Sequence, residues 1–314
     1  EVLLGDGTRL TADLVVDASG RGSRLPHWLA DHGVTAPPAS VIDAHVGYAT
    51  RIYRDAPAVL ADCAGIAVAA SPQSPIGGLA LPAEQGRWMV SAIGFGDQRP
   101  PRDNEAFEQF LRELPDPVLG DLVARSTPVS DVHVYRQTSN VRHPYEKVLD
   151  WPAGVVAAGD ALCAFDPIYG QGITVGALQA LLLRRAAERG LRPSGAGRLQ
   201  RQLAASVATP WSIATSADAS FPTSDLQQTR LQRILGAWSA ELTRLAIHGD
   251  RRADETMSRV YNLLDPPVAL VHPALVAAAL RSRITGQGRA VRRPAVLDEL
   301  ARGGPQLALE QSAS

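Results

Sequence analysis

Lysine is all but missing from this chain of 314 residues: Lys147 is the only one, and arginine carries nearly all the positive charge. We read that bias as the mark of a GC-rich coding sequence, not as a phosphate-binding device. Excess charge is lacking too. The formal net charge is -1 and the isoelectric point about 6.7, so nothing points to nucleic acid or an anionic membrane as partner. Cysteine is scarce: Cys63 and Cys163 stand far apart. That spacing suggests neither a disulfide framework nor a metal site and fits a reducing, cytoplasmic setting. No apolar run reaches the roughly 18 residues of a spanning helix. An integral membrane segment is therefore not expected, and no signal peptide is visible. There is no internal repeat. There is also no initiator methionine: the chain starts at Glu1, in what reads as the middle of a hairpin. The expectation is an N-terminally truncated polypeptide.

What is present is ordinary globular composition, 45% hydrophobic and 20% charged. At about 100–200 residues per domain, the length predicts two domains or one interleaved unit. Val2-Leu3-Leu4 and residues 9–17 predict two strands around the Asp6-Gly7 turn. The run Leu14-Val15-Val16 suits a strand covered on both faces. A glycine-permitted turn follows, Asp17-Ala18-Ser19-Gly20-Arg21-Gly22, and then a short helix over 24–32 with Ser23 as its cap. Between 41 and 141 the character changes. Short β-rich segments recur at 44–53, 66–70, 78–81, 87–93 and 129–137, separated by glycine and proline. They predict a mainly antiparallel sheet, interrupted by one helix over 104–114. Residues 155–183 return to strand, turn and helix. After a loop at 189–197, helices are predicted over 199–207, 225–248, 254–264 and 268–283, punctuated by Pro266, Pro267 and Pro273. The last residues, 303–314, read as a frayed end.

Two strand-turn-helix elements carry the candidate chemistry. In Gly159-Asp160 an acid ends a buried strand. It reads either as an acceptor for the hydroxyl groups of a ligand or as the cap of the following turn. Pro167 to Thr174 places Gly170 and Gly172 at the mouth of a helix. There, backbone N–H groups and the helix dipole favour an electron-rich ligand. Gly172, Gly176 and Ala180 repeat every four residues and predict close packing against that helix; a tight helix–sheet contact without ligand is the competing reading. The turn from Asp17 to Arg24 is the second element, suited to a pyrophosphate or ribose. Both can lie at one edge of one sheet.

The segments DLVVDASGRGSRLPHWL and VVAAGDALCAFDPIYGQGITVGALQALLL resemble the second and third flavin-binding motifs of FAD-dependent monooxygenases. This is the para-hydroxybenzoate-hydroxylase-like superfamily, which also holds halogenases, epoxidases and geranylgeranyl reductases. The order of segments is similar too. The resemblance implies an α/β fold, an FAD-binding Rossmann-like domain whose N-terminal part is missing. It implies FAD-domain segments at 1–36 and 146–190, an inserted substrate-binding sheet at 37–145, and a C-terminal helical region at 191–314. By position, Asp160 with Gly159 would bind the ribityl chain, and Pro167 would sit beside the isoalloxazine ring. Backbone around Gly170, Gln171, Gly172 and Ile173 would face its pyrimidine edge, and Asp17, Ser19, Gly20 and Arg24 would lie near the dinucleotide. NADPH or NADH would reduce the flavin, and O₂ would form a C4a-hydroperoxide that oxygenates a small, largely apolar organic substrate. No dedicated catalytic side chain is implied. The family's G-x-G-x-x-G does not occur in this sequence. The Asp17-Ala18-Ser19-Gly20 form is closer to the halogenase and reductase branches, so those activities are the alternatives. A truncated remnant without cofactor is the alternative from another class. Asp166, before Pro167, is expected to point away from the ring.

Remaining candidates are read as structural first. His45, His133 and His143, with Arg51, Tyr53, Tyr135 and Arg136, lie in or beside the sheet and either face a substrate or serve packing. Trp211 and Trp238 read as packing anchors, Cys163 as a small buried residue, and 289–293 as a solvated helix flank. The apolar faces within 268–280 read as core, with cover of a substrate pocket or a membrane surface as alternatives.

Overall fold

In a computed structural model, which describes residues 1–286 and 293–302, the chain opens with β1 (Val2–Leu3), β2 (Arg9–Leu10), β3 (Val15–Asp17), α1 (Leu25–Asp31) and β4 (Ser40–Ile42). It continues through β5 (Val46–Arg54), β6 (Ile66–Val68), β7 (Ile76–Ala83), β8 (Arg87–Phe95), α2 (Asn104–Arg112), α3 (Val118–Val123), β9 (Thr127–Pro128) and β10 (His133–Tyr135). Then come β11 (Asn140–Arg142), β12 (Val155–Ala157), β13 (Cys163–Ala164), α4 (Gln171–Glu188), α5 (Ala196–Ser206) and α6 (Ala208–Asp218). The last helices are α7 (Arg230–Ile247), α8 (Arg251–Tyr261), α9 (Pro273–Thr285) and α10 (Ala295–Arg302).

The chain divides into two units. The first comprises residues 1–43, 139–218 and 228–286. Its centre is a parallel pair, β3 with β12, in the register Val15↔Val155, Val16↔Val156 and Asp17↔Ala157. Both strands are short β-branched runs that end in small and acidic residues, which is why both stop at the same level. The Ala158 amide extends the ladder by donating to the Asp17 carbonyl at 2.9 Å. β12 is buried at Val156 and Ala157, but Val16 on β3 is 39% exposed, so β3 is not covered on both faces as expected. The single strand expected over 9–17 is also two. Arg9–Leu10 pairs back on Val2–Leu3, and the chain then leaves that hairpin to reach β12. A second, three-stranded sheet joins β13, β11 and β4.

Leu25, Val156, Phe165, Val175, Leu199 and Leu203 form the core around the parallel pair. A separate cluster of Leu242, Leu245, Ala253 and Leu275 holds α7, α8 and α9 together. Capping sets the helix starts. Thr229 and Gln232 form a reciprocal capping box, so α7 begins five residues after the expected 225. Asp250 caps α8. The helix expected over 268–283 is broken: His272 is extended ahead of Pro273, which leaves a 3₁₀ turn at Pro267–Val271 and α9 beyond it. Helix α6 was not foreseen. None of the helices among the described residues is long and apolar enough to cross a membrane.

The second unit comprises 44–138, 219–227 and 293–302. It is an antiparallel sheet in the order β10-β5-β8-β7-β6, with β9 also on β5. β5 pairs with β8 from Val46↔Phe95 to Tyr53↔Trp88. The strand expected over 129–137 is interrupted. Ser130 Oγ accepts from the Ile52 amide at 3.0 Å and replaces a ladder bond between β9 and β10. Helix α2, capped by Asp103, buries Phe107 and Leu111 against this sheet together with α3 and Leu300. The C-terminal helices are thus shared out: α5 to α9 belong to the first unit, α10 and residues 219–227 to the second. Of the flank expected over 289–293 only Arg293 is described, and it pairs with Asp116 and Asp298. The end expected to fray, 303–314, lies outside the described residues.

Candidate functional site

In-register parallel pairing brings the two glycine-bearing turns to one edge. After β3, the Asp17 carboxylate turns inward. Oδ1 accepts the amide of Ser19 at 3.0 Å and its hydroxyl, and Oδ2 accepts the hydroxyl of Ser23. Ser23 Oγ in turn accepts the Leu25 amide at 3.0 Å. Asp17 and Ser23 therefore brace the turn itself. What the turn offers outward is the backbone at Gly20, whose φ is +86° and whose missing Cβ would meet no atom within 4 Å. Ser19 and Arg24 are exposed beside it. Arg21 crosses to the second turn, donating to the carbonyls of Ser139 and, at 2.9 Å, Phe165.

After β12, Gly159 takes a φ of +59° and its amide donates to Gln179 Oε1 at 2.6 Å. Asp160 is exposed, makes no cap bond to its turn, and has no hydrogen bond among the described residues. The capping reading therefore finds no bond behind it. Its Oδ1 lies 3.9 Å from where a Cβ on Gly172 would be, so the acid faces the first turn of α4. Gly170 stands at the N-cap of α4 in the left-handed region, φ +67°, with no side chain capping the helix. The first amides of an α-helix have no partner within it, and here a donor-rich, partially positive end is left open. Gln171 is buried at 3% exposure and its Oε1 has no hydrogen-bond partner. Pro167 is exposed and Ile173 is 89% exposed. The small-residue stripe does not mark a tight helix–sheet contact. A Cβ on Gly176 would meet nothing within 4 Å, and Ala180 is exposed.

Behind the turns lie residues that no local pattern announced. Gln200 clamps β12, accepting the Ala157 amide at 2.7 Å and donating to its carbonyl at 3.4 Å. Asp166, Asn140, Tyr169 and Asp218 form a buried network. Asp218 accepts the Tyr169 hydroxyl at 2.5 Å and the Asn140 amide group, and Asn140 Oδ1 accepts the Asp166 amide at 2.9 Å. Burial pushes the Asp166 carboxyl up to about 8, helped by the charge of Asp218. Burial also raises Asp218 to about 6, while the bonds from Tyr169 and Asn140 hold it down. Asp166 Oδ1 turns back to accept the Ile168 amide at 3.1 Å.

The other candidates fall elsewhere. In the sheet unit, Arg51 pairs with Glu108 at 2.9 Å, Tyr53 donates to the same carboxylate at 3.2 Å, and His45 meets Asp225 at 3.4 Å. Tyr135 leans on Tyr48 and Arg136 donates to the Pro100 carbonyl, while His133 is exposed. In the first unit, His143 stacks on Tyr145, 5.2 Å between ring centres, and lines a cleft of about 350 Å³ with Pro26, Val34 and Pro37. Burial lowers its pKa against the opposing pull of Asp17. Trp211 packs on the core, and Trp238 donates to the Leu270 carbonyl at 2.9 Å. The Cys163 thiol is buried and pushed well up, unfit as a nucleophile. Among the described residues no group of three or more His, Cys, Asp or Glu is placed to hold a metal.

No family model matches the chain. The curated Protein Rv3254 of Mycobacterium tuberculosis is 31% identical over 215 residues, 68% of this chain and 45% of that protein. A variant of HpxO from Klebsiella pneumoniae, complexed with FAD, is similar at a TM-score of 0.53 and 16% identity, over 83% of this chain and 64% of that one. A flavoprotein/dehydrogenase from Cytophaga hutchinsonii is similar at a TM-score of 0.52 and 12% identity, over 88% and 62%. The flavin-dependent brominase Bmp2 is similar at a TM-score of 0.50 and 12% identity, over 88% and 64%. The fold is one that this chain shares with these flavin-binding structures. The chain spans less than half the length of its curated relative and less than two thirds of these structures.

The residues present fit one part of FAD. A buried, unpartnered Gln171 Oε1, an uncapped helix end and glycines facing open space suit a flat, electron-rich ring, and the free carboxylate of Asp160 suits a polyol. For the pyrophosphate the sequence offers no G-x-G-x-x-G cradle.

Proposed function

We propose that this chain supplies the isoalloxazine and ribityl half of an FAD site in an oxidoreductase. The activity proposed is that of a monooxygenase using NADPH or NADH and O₂ on a small, largely apolar organic substrate. The observation that carries this reading is the register Asp17↔Ala157, which aims two glycine turns out of one sheet edge. Bound FAD would supply hydride acceptance and O₂ activation. The chain's own residues would bind and orient. Asp160 accepts hydroxyl hydrogens. The free amides at the start of α4 would face the ring's electron-rich edge and favour negative charge there. Gln171 Oε1 accepts an N–H. Gly20, Gly159, Gly170 and Gly172 keep side chains out of the way.

The test is to purify the product of the complete reading frame and look for bound flavin by absorbance. Bound FAD that is weakened by Asp160→Ala is expected; no flavin, with no effect of Asp160→Ala, overturns the reading. NADPH- or NADH-dependent O₂ uptake then tests the monooxygenase activity. The form Asp17-Ala18-Ser19-Gly20 favours a halogenase or reductase as second reading. Halide-dependent product formation distinguishes the former, and cofactor oxidation without O₂ the latter.

A further inference from the structure

Two carboxyl groups are buried beneath the turn that leads into α4, and among the described residues no cation forms an ion pair with either. Asp166 is 1% exposed and Asp218 is not exposed at all. The groups that bear on Asp166 are Asp218 on α6, Asp43 after β4 and the guanidinium of Arg21 after β3. Arg21 spends its donors on the carbonyls of Ser139 and Phe165. Tyr169 and Asn140 both donate to Asp218; Tyr261 reaches the network by donating to the Tyr169 carbonyl at 2.6 Å. Asp166 receives one bond, from the Ile168 amide. Two buried anions this poorly compensated are not stable together, and the acid with fewer donors is the one that keeps a proton.

We propose that Asp166 and Asp218 act as an acid pair carrying one negative charge at neutral pH, with the proton on Asp166. The turn bearing Pro167 thereby presents a neutral acid, not a second anion, to a redox group that grows electron-rich on reduction. Asp166 is a positioning residue in this scheme. Its purpose rests on the FAD reading; the pair itself does not. The charge balance at each acid fits the assignment. Burial and the neighbouring Asp218 raise Asp166 to about 8, while Asp218, held down by its two donors, rises only to about 6. The two titrate as a coupled unit.

The pair is tested first without cofactor. A folded-state acid whose pKa lies above its unfolded value of about 4 costs stability as pH rises between the two values. Wild-type melting temperature should therefore fall from about pH 4 to about pH 8 through this group, then level off. Asp166→Asn mimics the protonated acid and should remove that fall. The variant should match wild type near pH 4 and exceed it increasingly up to pH 8. Identical pH profiles overturn the proposal. Carboxyl ¹³C NMR of aspartate-labelled protein should show one carboxyl still protonated at pH 7, absent in Asp166→Asn and shifted to a lower midpoint in Asp218→Asn. Full ionisation of every aspartate by pH 6 overturns it. Should Asp218→Asn not fold, Tyr169→Phe replaces it: Asp218 is then less charged, and the Asp166 midpoint should fall. In flavin-loaded protein, the pH dependence of the midpoint potential should change slope near the Asp166 midpoint and lose that change in Asp166→Asn. A slope indifferent to the substitution overturns the purpose while leaving the pair, and absence of bound flavin sinks the functional reading alone.

Discussion

Asp160 and Gly172 face one another across the mouth of α4: the acid's Oδ1 lies 3.9 Å from where a glycine Cβ would be. The carboxylate is free, so its removal costs the fold nothing and the ligand a charged hydrogen bond. Asp160→Ala should weaken FAD binding at least about tenfold, since such a bond is worth roughly 1.5–3 kcal/mol. Stability in urea should stay within about 0.5 kcal/mol of wild type. Flavin fluorescence titration and urea unfolding read the two effects separately.

Gly170 is a backbone requirement, not a packing one. Its φ is +67°, and an added Cβ would meet nothing within 4 Å. Gly170→Ala should therefore cost about 1–2 kcal/mol, the strain of a left-handed alanine. Urea unfolding checks the value. A neutral result would show that the turn does not need its left-handed residue.

Gln200 holds both polar groups of Ala157 on β12. Gln200→Leu leaves a buried amide and carbonyl unpaired, at about 1–3 kcal/mol each. The expected loss is about 2–4 kcal/mol, with faster hydrogen exchange at Ala157.

In the sheet unit, Phe107 is fully buried, and Phe107→Ala should cost about 3–5 kcal/mol. Thermal or urea denaturation measures it.

Tyr169→Phe takes from Asp218 a bond that favours its charged form. The Asp218 midpoint, already raised to about 6 by burial, should rise further. Wild type already loses stability up to about pH 8 through Asp166; the variant should lose more in total between about pH 4 and pH 9, because ionised Asp218 has lost a donor. Melting temperatures across pH 4–9 would show the larger total decline; coincident curves would refute it.

The legible part of this protein was local. Val15-Val16 and Val155-Val156 are β-branched runs stopped by acid and glycine, and that pattern alone pointed to two equivalent strand-turn-helix elements. The antiparallel sheet between them was legible for the same reason, as was α2 from its apolar stripe. Helix α6 was not, because ATPWSIATSAD is rich in Ser, Thr and Pro, poor helix formers in isolation. Asp218 at its end meets Asn140 from 78 positions away, and nothing in either neighbourhood encodes the meeting. The glycine stripe on α4 misled, because small residues announce close approach without saying of what. Val16 misled because an apolar residue need not be covered.

The parallel register joins strands 140 residues apart, 155 − 15, and that distance bears on how the chain folds. Closing so long a loop would be slow for a featureless chain. The intervening residues are not featureless. β10 lies against β5, and Thr138 Oγ1 donates to the Val46 carbonyl at 2.7 Å, fastening the sheet at its own base. Once the sheet forms, Asp43 and Ser139 lead away from neighbouring points, and the effective loop shrinks to about 42 residues, 26 from Asp17 to Asp43 and 16 from Ser139 to Val155. Loop entropy grows only with the logarithm of length, about 0.6 kcal/mol per doubling, so the shortening by a factor of about three recovers roughly 1 kcal/mol. That gain and the local pairing of its strands favour forming the hairpins of the sheet early and the parallel pair late. Substitutions that slow the sheet should delay the appearance of the two glycine turns without touching either.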